Sequence, residues 1–237
     1  MKNELLTGTQ LLGKSKAYFV LVIVMMSITI LSFGCSRTVT PLPVVGNQLV
    51  INITFRDTVN TEDNKYYLIF GNINPSAPYR GTYANTYFFA PGEDYDTNKM
   101  NVSTDVSYYY TNYFSTWNDF ILLKNNVYYI TNGPFKNAFS HNTYKPEYLD
   151  VRTPPTRSDE SKKISFSFYF SKLSTLPEEL YFNIICVDNE GYLKDYLRAT
   201  DNKISVNQGT TISERIEPSD TEINGSFDIV SWDMKVQ

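Results

Sequence analysis

Between Ile164 and Ser171 the chain reads ISFSFYFS, with Ile164, Phe166, Phe168 and Phe170 on one side and Ser165, Ser167, Tyr169 and Ser171 on the other. A side-chain period of two fits a strand with one buried face and fits no helix, whose apolar stripe repeats every 3.6 residues. The same period runs through Leu49, Ile51, Ile53 and Phe55, set between Val50, Asn52 and Thr54. Further strand signals are KYYLIFGNI at 65–73, VSYYYTNYF at 106–114, and FILLKNNVYYI at 120–130, a hairpin turning at Lys124–Asn126. Others lie at 180–187, 204–206, 210–216 and 227–236. Asp188-Asn189-Glu190-Gly191 reads as a hairpin turn, with glycine where a positive φ is wanted. Only Thr175-Leu176-Pro177-Glu178 suggests a helical turn, through a capping-box spacing with proline just inside. So many short strands predict an all-β fold, an antiparallel β-sandwich of jelly-roll or immunoglobulin-like type.

The stretches 51–73 and 164–187 share a layout of alternating strand, polar connection and aromatic-rich strand, and DVRTPPTRSDESKK (150–163) would serve as a linker between them. One sandwich over 48–237 is expected. The alternative is two small ones, 48–150 and 160–237. In 237 residues, 42% hydrophobic and with net charge −4, there is material for a real core and none of the basic excess of a nucleic-acid-binding domain. Two cysteines exclude a disulfide scaffold.

The N-terminus carries a different pattern. Lys2, Lys14 and Lys16 precede an uncharged apolar run, AYFVLVIVMMSITILSF (17–33), about 26 Å long as a helix. That is the layout of a secretion signal. The run ends in Leu31-Ser32-Phe33-Gly34-Cys35, which resembles the lipobox of bacterial lipoproteins. The leucine usual three residues before the cysteine is here Ser32, with Leu31 one place further back. The resemblance implies cleavage after Gly34 and lipidation of Cys35, with 1–34 a helical signal peptide and 35–47 a tether. Ser36 lacks the aspartate that retains such proteins at the inner membrane in some enteric bacteria, so the resemblance implies extracytoplasmic anchoring, at the outer membrane where there is one. Without Lys2, Lys14, Lys16 and Glu4, the mature chain keeps 18 basic and 24 acidic residues, net about −6. Such a domain is not drawn to anionic headgroups, so the lipid must anchor it.

The YYLIF strand at 66–70, with Asn72-Ile73-Asn74-Pro75 and Gly81 after it, and the later ISFSFYFSKLSTLPEELYFNIICVDNEG resemble strands and turns of DOMON-like and family-9 carbohydrate-binding sandwiches. Those families bind sugars or haem. A Met/His haem pair would have to use His141, the one histidine.

No nucleophile elbow, His-Glu-x-x-His, Cys-x-x-Cys or phosphate-cradling loop is present, so no catalytic residue, cofactor or metal is assigned. His141 reads as a loop histidine and Cys186 as a buried small hydrophobe. Asp94, Asp96 and Asn98 with Asp105 copy a calcium loop superficially, but Lys99 stands where the sharp turn needs glycine. The remaining feature is aromatic. Tyr108, Tyr110, Tyr113 and Trp117 fall within ten residues and form a candidate ligand platform, since flat rings with polar rims suit a sugar. The expectation is a lipid-anchored, non-catalytic binding or structural module of the cell envelope, with a glycan or envelope protein as partner. The alternative is an envelope hydrolase using an acidic pair.

Overall fold

The computed structural model describes residues 44–76, 86–100, 113–135, 146–151 and 161–237. Gly34, Cys35, the signal segment and most of the tether lie outside these residues. So do Tyr108, Tyr110, Asp105, His141 and most of the 150–163 stretch.

Among the described residues, twelve strands form two antiparallel sheets. They are β1 (Gln48–Phe55), β2 (Lys65–Gly71), β3 (Thr86–Tyr87), β4 (Asp119–Lys124), β5 (Val127–Asn132), β6 (Glu147–Tyr148), β7 (Lys163–Tyr169), β8 (Glu179–Val187), β9 (Tyr192–Tyr196), β10 (Lys203–Ser205), β11 (Thr211–Ile216) and β12 (Ile229–Val236). The smaller sheet has the order β11-β12-β1-β7 and the larger β3-β9-β8-β2-β4-β5-β6, with β10 also on β8.

The alternation in the sequence becomes one face of the core. Ile51 pairs with Met234 on one side and Phe166 on the other, and Leu68 pairs with Ile184 and Ile121. All six are buried in one cluster between the sheets, and each such side chain stabilises the fold by roughly 1.5–3 kcal/mol. Cys186 lies in the same cluster. Burial, with the carboxylates of Asp195 and Asp228 adding to it, pushes its thiol well above the usual range. It packs there as a protonated hydrophobe.

Strands from both sides of the 150–163 stretch mix in each sheet. β1 lies between β12 and β7, and β2 between β8 and β4. The arrangement as two small sandwiches is therefore not adopted, because neither half could complete its sheets. The shared layout of 51–73 and 164–187 takes a different meaning. β1 pairs antiparallel with β7 in one sheet and β2 with β8 in the other, as an approximate two-fold between the two strand–loop–strand units would place them.

Two tight connections follow the sequence. Asn125 and Asn126 both have positive φ, 51° and 57°, in the two-residue loop closing β4 onto β5, a conformation asparagine tolerates better than most residues. In the β8–β9 hairpin, Gly191 has φ 87°, and a Cβ there would sit 2.5 Å from the Tyr87 ring. The helical turn over 175–178 is a correction. Thr175 instead accepts a hydrogen bond from Asn118 Nδ2 (2.9 Å) across the end of the sandwich, and a 3-10 turn forms earlier, at Phe170–Lys172. Phe114, expected in a strand, begins another 3-10 turn, Phe114–Thr116. Among the described residues no helix is long and apolar enough to cross a membrane.

Candidate ligand groove

The described members of the aromatic cluster face inward. Trp117 is 1% exposed and donates its indole N–H to the Ser76 carbonyl at 2.9 Å. Its ring stands edge-on to Phe114 at 5.0 Å and to Phe120 at 5.8 Å. Tyr113 packs against the same cluster. Trp117 is thus withdrawn from the candidate platform: the outer face of the larger sheet is apolar, and the rings that follow the 101–112 segment cover it instead of facing solvent.

This covering forms a second core. Tyr67, Ile69, Phe120, Leu122 and Ile185 rise from the sheet and meet Phe88, Phe89, Met100 and Phe135 from the loops. Glu93 fastens the layer by accepting from Tyr67 Oη (2.7 Å) and the Ala90 N–H (3.1 Å) and pairing with Lys65 (3.2 Å). In the calcium-like stretch, Asp96 Oδ1 accepts from the N–H and side-chain amide of Asn98, and Lys99 donates to the Glu190 carbonyl. The segment is an Asx-type turn pinned to the β8–β9 hairpin. Among the described residues no three acidic, histidine or cysteine side chains are grouped to hold a metal.

The buried acids are engaged by structural donors. Asp228 is fully buried, 2.6 Å from Arg56 Nε, and also accepts from Ser219 Oγ and the Asp220 N–H. Asp195 accepts from the Ile229 N–H at 2.9 Å, tying β9 to β12. Burial pushes its carboxyl up to about 6. At the start of β4, Asp119 accepts from Asn132 Nδ2 and from Ser174 N and Oγ. Burial raises its carboxyl too, against the pull of those donors.

An open concavity lies elsewhere among the described residues, on one flank of the sandwich, with a volume of about 610 Å³. That is within the range of small-molecule sites. Its origin is topological. β11 is the edge of the smaller sheet, and its register sets Ile212 opposite Met234 and Arg215 opposite Trp232. Cross-strand partners share a face, so Ile212 and Arg215 point to the side on which β12 builds the core. Yet β11 is exposed along most of its length. The larger sheet does not reach over it. What would be core becomes a groove floored by Trp232 and walled opposite by the segment that follows β9, including Arg198, Asp201 and Lys203.

The groove is held open by fixed contacts. Trp232 donates its indole N–H to Glu217 (3.1 Å), and the loop beyond is clamped by Arg56 and Asp228. Lys203 is engaged by Glu179 at 2.9 Å, and Arg198 stands 3.8 Å from Asp220. The Arg215 guanidinium has no ion-pair or hydrogen-bond partner among the described residues. Sequence reasoning missed this groove, because its residues are scattered over 198–232 and share no motif. The signal that could have found it is in β11 itself, where TISERI is much more polar than the other long strands.

No family model, curated protein or solved structure matches the chain.

Proposed function

We propose that the chain is a bacterial lipoprotein, anchored through acylated Cys35 outside the cytoplasm, whose β-sandwich is a non-catalytic binding module of the cell envelope. The observation that carries the reading is Gly34-Cys35 at the end of an uncharged apolar run behind three lysines. Nine residues separate Cys35 from Val45, where the first strand-like bridge, to Asn207, begins. Their reach is at most about 35 Å, so an anchored sandwich works close to the bilayer. The acidic mature chain supports a lipid anchor over an electrostatic one. The flank groove, with its largely polar lining, supports binding as the module's task.

The test is Cys35→Ala in cells fed a labelled fatty acid, with detergent-phase partitioning of the product. The wild type is expected to take up label and enter the detergent phase. The variant is expected to carry no label and to accumulate as the longer precursor. A variant of unchanged size that still incorporates label would sink the reading.

A further inference from the structure

We propose that the end of the sandwich at which the tether enters is a bilayer-contact surface, with Val44, Val45, Ile73 and Leu176 set into the interfacial layer of the membrane. This rests on the reading of the chain as lipid-anchored and names the face that the anchor turns to the lipid. The entry point is fixed. Gly46 donates its N–H to the Val206 carbonyl (2.8 Å) and the Val44 carbonyl accepts from the Gln208 N–H (2.7 Å), on either side of the Val45–Asn207 bridge. Gly46 is buried, with no room for a Cβ beside Val236. Val44 and Val45 thus hold their side chains in solvent on a pinned backbone, 64% and 56% exposed.

The sheets bring the other two to the same end. β2 stops at Gly71 opposite Tyr181, and β8 begins two residues before Tyr181, so the loop leaving β2 and the loop entering β8 lie together. Thr175 Oγ1 donates to Asn72 Oδ1 across them (3.4 Å). The start of β8 also joins the tether strip, since the Val206 N–H donates to the Glu178 carbonyl at 3.1 Å. Ile73 and Leu176 stand exposed in these two loops. Six large hydrophobic side chains are exposed among the described residues, and four of them are at this end. Scattered singly they would call for no explanation; gathered where the chain leaves for its anchor, they mark a contact surface.

Charge divides the two ends in the same sense. The described loops at the tether end, 44–47, 72–76, 116–118, 133–135, 171–178 and 206–210, hold two charged side chains, Lys172 and Glu178. The Lys203–Glu179 pair and Asp201 stand beside them, so the end is close to neutral. The loops at the opposite end, 56–64, 125–126, 161–162, 188–191 and 217–228, hold nine acids against Arg56 and Lys162. Lys194 and Arg198, which face two of those acids, do not cancel the excess. Anionic headgroups repel the acidic end, and the near-neutral end has little charge to desolvate.

The experiment places the full-length chain, lipidated in cells fed the labelled fatty acid, in vesicles of phosphatidylcholine and phosphatidylglycerol that carry a nitroxide near the top of the acyl chain. A fluorophore is attached at Ser171→Cys, at the tether end, or at Asn189→Cys, at the far end, both exposed positions. Cys186 is buried and Cys35 acylated, so the new cysteine takes the fluorophore. The nitroxide is expected to remove most of the emission at 171 and little of that at 189. Ile73→Ser combined with Leu176→Ser should weaken the preferred orientation at least about tenfold and restore most of the emission at 171. The thermal midpoint should stay unchanged, since both side chains are exposed.

Equal loss at the two ends would overturn the proposal, as would a loss at 171 that the double variant leaves untouched. So would an unquenched probe at 171 on chains that crosslink through Ser171→Cys, which would give this end to a second copy of the chain. The fatty-acid label separates the two readings. A chain that takes up no label sinks the anchor and this proposal together. A chain that takes it up and floats with the vesicles, yet shows no difference between its ends, overturns the contact surface alone.

Discussion

The two outer faces of this sandwich follow opposite rules. On the smaller sheet the outward residues are polar and linked to one another. Ser165 Oγ donates to Asn52 Oδ1 (2.8 Å), and Asn52 Nδ2 donates to Asp233 Oδ1 (2.7 Å), a ladder across three strands facing solvent. On the larger sheet the outward residues are Tyr67, Ile69, Phe120 and Ile185, buried under loops. The same pleat thus produces two kinds of strand sequence. A strand buried on one face alternates, as β1 and β7 do. One buried on both reads as a nearly continuous apolar run, as in YYLIF, FILL and FNIICV.

The comparison breaks most directly at Trp117. If the loop layer is a true core, Trp117→Ala should cost about 3–5 kcal/mol, since it leaves a cavity and strands the Ser76 carbonyl. Asn52→Ala on the opposite outer face should cost less than about 1 kcal/mol. Urea unfolding of the two variants checks this. A Trp117→Ala protein as stable as Asn52→Ala would mean that the loops merely lie on the sheet.

A second probe sits where one strand serves both environments. A bulge in the β8–β9 pairing puts Leu193 opposite Val187 and Asp195 opposite Cys186. Leu193 therefore enters the outer layer and Asp195 the space between the sheets, where it meets the Ile229 N–H. With its carboxyl raised from 3.8 to about 6, chiefly by burial, the folded state binds a proton that the unfolded chain has released between those values. Stability from this group is therefore full below about pH 4 and falls as pH rises to about 6. The difference is on the order of 3 kcal/mol. Asp195→Asn keeps an acceptor for Ile229 without the charge, so it should gain on the wild type at pH 7.5 and lose that advantage near pH 4.5. Urea midpoints at the two pH values decide it. A wild type and variant separated equally at both would show that Asp195 does not carry the effect.

Much of the fold was legible in the sequence because period two is imposed wherever one face meets water. β1, β7, the β4–β5 hairpin and the Gly191 turn all follow from residues that leave the backbone few alternatives. The loop-covered face was not legible. Tyr113 and Trp117 carry the same composition whether a ring lies exposed on a strand or is folded back over a sheet, and only contacts with Phe88 and Phe120, distant or turned away in sequence, decide between them. Thr175 shows the same limit. Its capping spacing is local, but its hydroxyl is claimed by Asn118 from another part of the chain. The groove is less legible still, since it exists because one sheet is wider than the cover it receives, a property of neither strand alone.

The smallest effects come from two tyrosines on opposite faces of the larger sheet. Tyr67 belongs to the outer layer and its hydroxyl donates to Glu93 at 2.7 Å. Tyr128 belongs to the core between the sheets, 2% exposed, and its hydroxyl has no hydrogen-bond partner among the described residues. Burying an unpaired hydroxyl is unfavourable, and removing it relieves that cost. Tyr67→Phe should therefore destabilise by about 1–2 kcal/mol, because Glu93 loses a donor in a buried setting. Tyr128→Phe should be neutral or stabilise by up to about 1 kcal/mol. The two substitutions delete the same atom from the same sheet, so a difference in sign in their thermal midpoints would place the polar fastening in the outer layer and leave the inner core apolar. Equal destabilisation would mean that Tyr128 has a partner after all, and that the two faces differ less than their lining suggests.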